Sequence, residues 1–528
     1  MKKSTALVVM VSAIFLAAGF TACSDGSVPT DKTAAQAQST GESVVADSKT
    51  IPKSDLVICM PEDLETFDPV GSSAMSTMTI TKVIYTRLYT TDENMQPQPL
   101  FVKEMKVISD NEVDFVIPEN GRFSDGTAIS AEDVVYCLER ARQSPNFQTL
   151  MKGINSFEVV DATTIKANTA GPVPYIQLAL SHPGASILPK AYVEKAMAAN
   201  DWNSPVCSGQ YIVKSRSIGS NTVIEKNDFY WDATGESAAQ NTSITFAVVP
   251  EASSRTIQVQ TGEADVNYSF STSDYNTVTA DTALKLYEKT GSVIQYLCMN
   301  TQLAPYDNEK VRQAICYAID RDAVMLIAAD GFGTVEYSVL PPSTLGHEEN
   351  PYGYSYDPEK AKRLLSEAGY PNGFETPLIA FNDRGKRVCE AVQQYLAEIG
   401  ITANIQSYDS SVRMDMSNSN QIPLMAAQWG AMSDAALVLP RLFTESAIGG
   451  MNFSKYTNPK LDELFNTAQN SYDTDVRVKA YKESVELLAE AAPWCPIYIP
   501  NSFCLTRIDL QGVTLDGESL IDLYKLHY

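Results

Sequence analysis

The sequence predicts an α/β fold of at least two lobes. The stretch from position 54 to 528 is longer than the ~250–300 residues over which a single hydrophobic core keeps growing. Short apolar runs typical of buried strands occur throughout it, and from about position 300 they alternate with helical patterns. That alternation favours layers of sheet and helix.

The first 23 residues predict export from the cytoplasm. Two lysines precede an apolar run, Ala6 to Phe20, that is too short to cross a ~30 Å hydrocarbon layer comfortably. Small residues and then Cys23 follow, so residues 1–22 are typical of a secretory signal peptide. The junction resembles the lipobox of bacterial lipoproteins, in which the cysteine is lipidated, although Phe20 stands where leucine is usual. The alternative is a secreted protein with a chance cysteine.

Residues 23–53 are predicted to form a disordered tether behind the lipidated Cys23. Small and polar residues dominate them, and such a composition cannot bury a core. A flexible chain of this length spans roughly 30 Å. The sequence therefore predicts a globular body held at the cell membrane, on its extracytoplasmic face.

Charge and histidine content exclude several classes of partner. The formal net charge of −24 argues against binding nucleic acid or anionic lipid through basic patches. The three histidines, His182, His347 and His527, are expected at surface or loop positions rather than as metal ligands. No metal site and no cofactor are expected.

Eight cysteines remain after Cys23, and none of them forms a CxxC or another metal-binding spacing. Several lie within apolar helical or strand patterns, which favours buried free thiols. A Cys495–Cys504 bridge is an alternative if a turn brings the two residues together.

The N-terminal part of the body, after residue 53, is predicted to contain mostly strands. The apolar run Leu56 to Met60 favours a buried strand, and residues 101–117 alternate as paired strands do. Ser130 with Asp133 three residues later predicts a helix start close to a capping box. Further strands are expected at 222–224, 244–249 and 264–268.

Helices dominate the later pattern. Apolar residues at helical spacing follow position 311, and in 356–370 Asp357 caps a helix that Pro358 opens and Gly369 ends. A helix over 389–398, a strand over 403–406 and a buried strand ending at Trp429-Gly430 come next. Two long helices are expected at about 459–471 and 474–491.

Enzyme signatures are missing from the sequence. It contains no GxxxxGK[ST] loop, no GxSxG elbow and no GxGxxG after a strand. His347-Glu348-Glu349 lacks the second histidine of a zinc HExxH helix. The protein is therefore expected not to be an enzyme.

Several segments together resemble the extracytoplasmic solute-binding proteins of family 5, which serve ABC importers of peptides and nickel. They occur in the family's order from about 55 to 525. The segments are ETFDPV (65–70), IYTRLYTTDENMQPQPLFVKEM (84–105), FSDGTAISAEDVVYCLERAR (123–142), PVCSGQYIV (205–213), ASSRTIQVQTGEAD (252–265), MNTQLAPYDNEKVRQAICYAIDRDAV (299–324), YDPEKAKRLLSEAGY (356–370), YTNPKLDELFNTA (456–468) and AAPWCPIYI (491–499). In the fourth, Gln210 replaces the family's usual proline.

The resemblance implies the two-lobed periplasmic-binding-protein fold, type II, of the large cluster with an extra subdomain in the first lobe. The first lobe would comprise 54–293 plus 499–528, with the subdomain at about 90–207, and the second lobe 294–498. A ligand would be trapped between the lobes by hinge closure.

The resemblance also places the ligand. Trp429, followed by Gly430 and Ala431, falls on a segment that lines the cleft and pairs with an extended peptide in family members. The alternative is that Trp429 belongs to the core. A Trp429→Ala variant is expected to bind ligand at least tenfold more weakly.

The family resemblance assigns four further positions to the ligand site. Ser73, Ala74 and Met75 fall on the edge of the first lobe that pairs with the ligand backbone. Tyr498 falls where a cleft aromatic is expected, and a core position at the hinge is its alternative.

Met432 departs from the family pattern. Peptide binders of the family carry an aspartate there, which holds the peptide's α-ammonium as a charge-assisted pair. Either Asp434 takes that ammonium, or the ligand has no ammonium and Met432 forms an adaptable apolar wall.

The function that follows is a substrate-binding lipoprotein of an ABC importer, which captures peptides and delivers them to the transmembrane subunits. The protein is expected to be a monomer that contacts the membrane through its lipid. Three alternatives stay open: an oligosaccharide or N-blocked peptide as ligand, a metal complex as ligand, and a surface sensor without a transport role.

Overall fold

One long strand connects the two parts of a large mixed sheet. The computed structural model describes residues 54–232, 235–430, 432–516 and 521–528. The predicted signal peptide, Cys23, the tether and the site candidate Ala431 therefore lie outside the described residues. Within those ranges, no helix combines the length and the apolar character that crossing a membrane requires.

The strands are numbered in chain order. They are β1 (Asp55–Met60), β2 (Tyr89–Thr91), β3 (Pro97–Pro99), β4 (Glu104–Ser109), β5 (Glu112–Val116), β6 (Ile154–Val159), β7 (Thr164–Thr169), β8 (Tyr211–Ser217), β9 (Asn221–Lys226), β10 (Ser243–Val248), β11 (Val266–Asn267), β12 (Leu284–Thr290), β13 (Val293–Met299), β14 (Gly333–Val335), β15 (Phe374–Ala380), β16 (Ile401–Ser407), β17 (Leu424–Gly430) and β18 (Trp494–Arg507).

The α-helices are α1 (Met75–Ile84), α2 (Ala131–Gln143), α3 (Ile176–Ser181), α4 (Lys190–Ala199), α5 (Ala252–Thr261), α6 (Tyr275–Thr279), α7 (Glu309–Ala318), α8 (Arg321–Ala328), α9 (Pro358–Glu367), α10 (Asp383–Glu398), α11 (Arg413–Asn418), α12 (Leu439–Phe443), α13 (Pro459–Gln469) and α14 (Thr474–Ala491). Short 3₁₀ turns connect several of them, among them Ala435–Leu437.

The large sheet has the order β16-β15-β17-β13-β18-β11-β1-β10-β9-β8, and β12 and β14 also pair with β18. The first residues of β18 pair with β13 and β14, and the residues from Asn501 onward pair with β12 and β11. β18 therefore carries the chain from the part built on β13–β17 to the part built on β1–β12. This strand gives the fold the continuous connection that two lobes need.

A smaller sheet and a hairpin lie within the predicted subdomain. The smaller sheet is antiparallel with the strand order β4-β5-β7-β6, and the hairpin consists of β2 paired with β3. The largest apolar cluster joins residues 88–187 of this region to residues 294–499. The lobe and subdomain boundaries stay a prediction.

Local sequence signals set most of the described elements. Ser130 and Asp133 form the complete capping box of α2, and Asp357 caps α9 by accepting from the Lys360 N–H at 2.8 Å. The expected strands at 244–249 and 403–406 are β10 and β16, with bounds shifted by a few residues. α10 begins at Asp383, six residues before the predicted helix, because Asn382 caps a polar first turn that has no apolar stripe.

The eight described cysteines are free and buried. The suggested Cys495–Cys504 bridge is wrong, because both residues lie on the single strand β18 with no turn between them. Nine residues of extended strand separate their Cα atoms by roughly 30 Å, far more than the ~6 Å of a disulfide. Burial is the main cause that raises the pKa of the Cys504 and Cys137 thiols to about 12.

Candidate functional site

A central cavity of about 400 Å³ lies where the two parts of the large sheet meet. Its wall is mostly apolar, and it combines α1 and nearby loops with the start of α10, the residues after β17 and part of β18. The described lining residues are Met75, Met78, Lys82, Thr91, Met95, Leu150, Leu178, Ser181, His182, Pro183, Gly291, Ser292, Val293, Arg384, Gly430, Met432, Leu437, Pro500, Asn501, Ser502 and Asp516. A ligand held there would contact both parts of the chain at once.

α1 provides one wall of the central cavity. Met75, Met78 and Lys82 are spaced three and four residues apart, which places them on one face of the helix. The opposite face is buried. The turn before α1 is fixed by Asp68, whose carboxylate accepts two hydrogen bonds from Arg140 of α2 at 2.7 and 2.5 Å.

The end of β17 provides the facing wall. Gly430 and Met432 line the cavity on either side of a residue outside the described ranges. The backbone there is held by Thr344, whose hydroxyl donates to the Met432 carbonyl at 2.7 Å, and by Leu345, whose N–H donates to the Ser433 carbonyl at 2.9 Å. The position of the wall therefore does not depend on the Met432 side chain.

One edge of β17 is open where it reaches the cavity. β13 pairs with β17 along its whole length, from Leu424 to Gly430. On the other edge, β15 pairs only at Met425, so in the described chain no strand covers that edge from Ala427 onward. An extended ligand backbone could be added to such an edge.

Four methionines give the cavity a deformable lining. Met75 and Met78 come from α1, Met95 from the turn between β2 and β3, and Met432 from the facing wall after β17. Met95 has a φ of 63°, an unusual conformation for a residue other than glycine. Unbranched thioether side chains adapt to differently shaped apolar groups.

His182 is a neutral part of the wall. Burial, and to a smaller extent the nearby Arg87 guanidinium, lowers the pKa of His182 to about 4. Its Nδ1 accepts from the Gly184 N–H at 3.1 Å, so the neutral ring carries its proton on Nε2. In the described ranges, no group of three or more His, Cys, Asp or Glu is arranged to hold a metal ion.

The charged groups of the cavity differ in their pairing. Lys82 lies 3.4 Å from Asp522, and Asp516 has a partner within the protein. Arg384 is exposed, and among the residues described it donates no hydrogen bond and has no carboxylate within 4.0 Å. Its guanidinium is therefore free to meet a ligand.

Two side hollows extend the central cavity. The Arg384 hollow is lined by Pro61, Glu62, Met75, Ser76, Tyr268, Ser269, Phe270, Arg384, Asn501, Ser502 and Phe503, and shares four of these residues with the cavity. The Lys289 hollow is lined by Glu93, Asn94, Met95, Gln96, Lys289, Thr290, Gly291, Pro342 and Ser343, and shares Met95 and Gly291 with it. Each hollow therefore adjoins the central cavity at the residues that it shares with it.

Of the sequence-predicted site residues, Met75, Gly430 and Met432 meet in the central cavity. Ala74 is the N-cap residue of α1, and the exposed Ser73 precedes it. Neither of these two lines the cavity or its hollows in the described structure.

Tyr498 lies inside the core and not in the wall. It is fully buried on β18, between β13 and β14. Its hydroxyl has no hydrogen-bond partner in the described structure, and burial raises its pKa to about 12. The geometry matches the hinge-core alternative, and a direct contact with ligand stays a prediction.

Asp434 has partners within the fold. It is 8 % exposed, and its carboxylate accepts hydrogen bonds from Arg477, from the Tyr481 hydroxyl at 3.3 Å and from the Ala436 N–H at 2.9 Å. It does not line the central cavity. The Arg477 guanidinium already compensates its charge, which argues against the suggestion that Asp434 takes a ligand ammonium, and that role stays a prediction.

The Trp429 side chain lies against the protein interior. It packs on the largest apolar cluster, and the Arg441 guanidinium lies 5.5 Å from its ring centre. Its indole N–H is buried without a partner in the described chain. Trp429 itself is not among the described lining residues of the cavity, whereas the next residue, Gly430, is.

A Trp429→Ala variant is accordingly expected to reduce the stability of the fold. Removing this partly buried ring is expected to lower the free energy of unfolding by about 2–3 kcal/mol, which is less than a fully buried aromatic costs. Chemical denaturation measures the loss, and Trp429→Phe is the control that keeps an aromatic ring. Unchanged stability with at least tenfold weaker ligand binding would instead place the ring on the ligand.

Sequence reasoning missed Arg384, Met78, Met95 and His182 as cavity residues. Arg384 lies in the polar first turn of α10, and Met78 follows one helical turn after Met75. The helical spacing from Met75 was the signal that could have identified Met78. No local pattern marks Arg384 or Met95, because the partners they face are distant in sequence.

Comparison with known families gives a match over most of the chain. The family model of bacterial extracellular solute-binding proteins, family 5, matches residues 96–450. Among curated proteins, the chain is 27 % identical over 473 residues to the glutathione-binding protein GsiB of Salmonella paratyphi A and to that of Escherichia coli K12. Each alignment covers 87 % of this chain and 91 % of the relative.

Solved structures of similar fold include peptide-binding proteins. HbpA2 from Haemophilus parasuis superposes with a TM-score of 0.82 at 25 % identity, over 89 % of this chain and 99 % of that one. The periplasmic binding protein DppA from Helicobacter pylori, in complex with the peptide STSA, gives a TM-score of 0.75 at 24 % identity, over 90 % and 98 %. Both superpositions show the shared fold.

Proposed function

The chain belongs to the bacterial extracellular solute-binding proteins of family 5, and from this premise we propose that it captures peptides or peptide-like solutes for an ABC importer. Its family and its two-lobed α/β fold are those of solute-binding proteins, not of enzymes. The ligand would sit in the central cavity, and closure of the lobes would present it to the membrane subunits.

The open edge of β17 is the observation that carries this proposal. From Ala427 to Gly430 it offers backbone groups to an extended chain, at the place where the strand enters the cavity. Backbone pairing of this kind accepts many peptide sequences, because it does not read the side chains. The side hollows give room for the residues on either side.

The name of the curated relatives supports a short ligand. The relative at 27 % identity is a glutathione-binding protein. We therefore propose a peptide of a few residues, contacted by Met75, Gly430 and Met432. Met432 replaces the aspartate of ordinary peptide binders with an apolar wall.

Attachment to the membrane is a further part of the proposal. The signal peptide expected at 1–22 and the lipid on Cys23 would hold the body on the extracytoplasmic face through the tether 23–53. A Cys23→Ser variant is the direct test, since it should be released from membranes on fractionation while the unmodified chain stays bound.

Thermal unfolding of the full-length chain with a panel of ligands tests the binding function. The panel holds free and N-acetylated di- to tetrapeptides, glutathione, maltotriose and a nickel–histidine complex. A ligand at a hundred times its dissociation constant stabilises by about 2.7 kcal/mol, which raises the unfolding temperature measurably. Stabilisation by peptides alone is expected. Stabilisation by maltotriose or nickel–histidine alone would overturn the peptide assignment.

A further inference from the structure

Met95 lies at the junction between the central cavity and the Lys289 hollow. The described lining residues that these two spaces share are Met95 and Gly291. Glycine has no side chain, so Met95 supplies the side chain at this junction, and it is 9 % exposed. The size and position of that side chain therefore control how far a ligand in the cavity can extend into the hollow.

The backbone conformation of Met95 is one that glycine adopts more readily. Its φ is 63° in the turn that joins β2 to β3, where its N–H donates to the Asp92 carbonyl at 3.0 Å. Turns that need a left-handed residue usually have glycine or asparagine there, because a larger side chain raises the energy of this conformation. Strained positions of this kind concentrate at ligand-binding sites, and the Met95 side chain lines two neighbouring spaces of the candidate site.

The turn is held independently of the Met95 side chain. Asp92 Oδ1 accepts from the N–H groups of Asn94 and Gln96, both at 2.9 Å. Lys289 of β12 also donates to a backbone carbonyl of the turn. A substitution at position 95 therefore changes the side chain at the junction and leaves these hydrogen bonds in place.

The Lys289 hollow has room for an extension of the ligand. Its volume is about 400 Å³, equal to that of the central cavity. Four polar side chains line it, those of Glu93, Asn94, Gln96 and Lys289. The hollow therefore suits the polar backbone of added peptide residues, whereas the central cavity is mostly apolar.

A methionine at this junction is a barrier that can be moved, but at a cost. Its unbranched chain has three rotatable bonds, so it can turn away from the junction. Turning away would move apolar surface from the cavity wall toward water or the polar hollow, which is unfavourable. A short ligand leaves the side chain in place and packs against it, whereas an extended ligand has to displace it.

We propose that Met95 restricts the ligand to the central cavity, so that the protein prefers a short peptide over the same peptide extended toward the Lys289 hollow. Displacing and reordering the Met95 side chain reduces the affinity for the extended ligand. Met95 is thereby a residue that determines specificity for ligand length. This inference rests on the proposed peptide-binding function and deepens it.

Titration calorimetry on the full-length chain tests the inference with three related ligands. They are N-acetyl-Gly-Phe, N-acetyl-Gly-Gly-Gly-Phe, which is extended at the amino end, and N-acetyl-Gly-Phe-Gly-Gly, which is extended at the carboxyl end. Both extensions are included because either end of a bound peptide could face the hollow. We expect the unmodified protein to bind at least one extended peptide at least tenfold more weakly than N-acetyl-Gly-Phe.

Four variants separate the Met95 side chain from other effects on binding. Met95→Gly and Met95→Ala both open the junction, and each should reduce this discrimination to less than threefold. Met95→Leu keeps a side chain of similar volume and should retain it. Met78→Ala shortens a methionine that lines the central cavity but not the Lys289 hollow, so it should change the affinities for short and extended peptides alike.

The outcomes distinguish the length inference from the proposed function. Unchanged discrimination in Met95→Gly and Met95→Ala, or an equal loss of it in Met78→Ala, would overturn the inference and leave peptide binding intact. Loss in Met95→Gly alone would also overturn it, because the turn conformation and not the side chain would then be responsible. Equal binding of all three peptides by the unmodified chain would do the same. If none of them binds, the proposed function fails and the inference fails with it. Circular dichroism of each variant verifies that it is folded.

Discussion

An Arg477→Ala variant is expected to be less stable than the unmodified protein by about 3–5 kcal/mol, because it leaves a buried carboxylate without its counter-charge. Asp434 and Arg477 are 8 % and 5 % exposed. Burial lowers the pKa of Arg477, but the Asp434 carboxylate and the Tyr481 hydroxyl together raise it; the net direction is upward, so the guanidinium keeps its charge. With Arg477 removed, the hydrogen-bond donors left to the carboxylate among the described residues would be the Tyr481 hydroxyl and the Ala436 N–H.

Chemical denaturation at neutral pH measures this loss, and Lys482→Ala is the matched control. Lys482 lies on the same helix, α14, and pairs with Glu348 at 2.6 Å, but both side chains are partly solvent-exposed. An exposed pair of this kind is worth about 0–1 kcal/mol. Equal losses of unfolding free energy in the two variants would show that the buried pair contributes no more to stability than the exposed one. An unchanged stability of Arg477→Ala, with altered peptide affinity, would return Asp434 to the ligand site.

The same pair shows where local sequence reasoning ends. In the sequence, Asp434 is a candidate ligand group because it lies two residues after Met432. Its actual partner, Arg477, is 43 residues away on α14, and nothing in the segment 428–440 indicates it. A buried carboxylate and its counter-charge come together only when the tertiary structure forms.

Elements with strong local signals could be predicted closely. The capping box of α2 and the Asp357-Pro358 start of α9 depend on residues within one helical turn of each other. The long strand β18 could not be predicted in this way. Its two ends pair with different parts of the sheet, so its length and its lack of a turn are tertiary properties.

The binding cleft was predicted only in part, and α10 shows the physical reason. Its apolar stripe indicates a helix from Cys389, while its polar first turn, held by the Asn382 cap, gives no such signal. Arg384 lies in that first turn. The family resemblance predicts wall positions such as Met432. The position of Arg384 in the cavity wall follows only from the tertiary structure.

A Met432→Asp variant is expected to change which peptides the protein prefers. The substitution places a carboxylate in an apolar wall, where it can pair with a ligand ammonium. Relative to the unmodified protein, the affinity for unblocked Gly-Phe over N-acetyl-Gly-Phe should rise at least tenfold, measured by calorimetry. The backbone is suited to the change, because Thr344 and Leu345 hold it through carbonyl groups and not through the side chain.

Met432→Asn is the control for this variant, since it has nearly the same shape and polarity without the charge. It should leave the ratio of the two affinities within threefold of the original. Without ligand, Met432→Asp should also be less stable by about 1–3 kcal/mol, because the new carboxylate would have lost water without gaining a partner. A gain for unblocked peptide that Met432→Asn reproduces would mean that polarity, and not charge, sets the preference. No change in either variant would mean that the amino end of the ligand lies away from position 432.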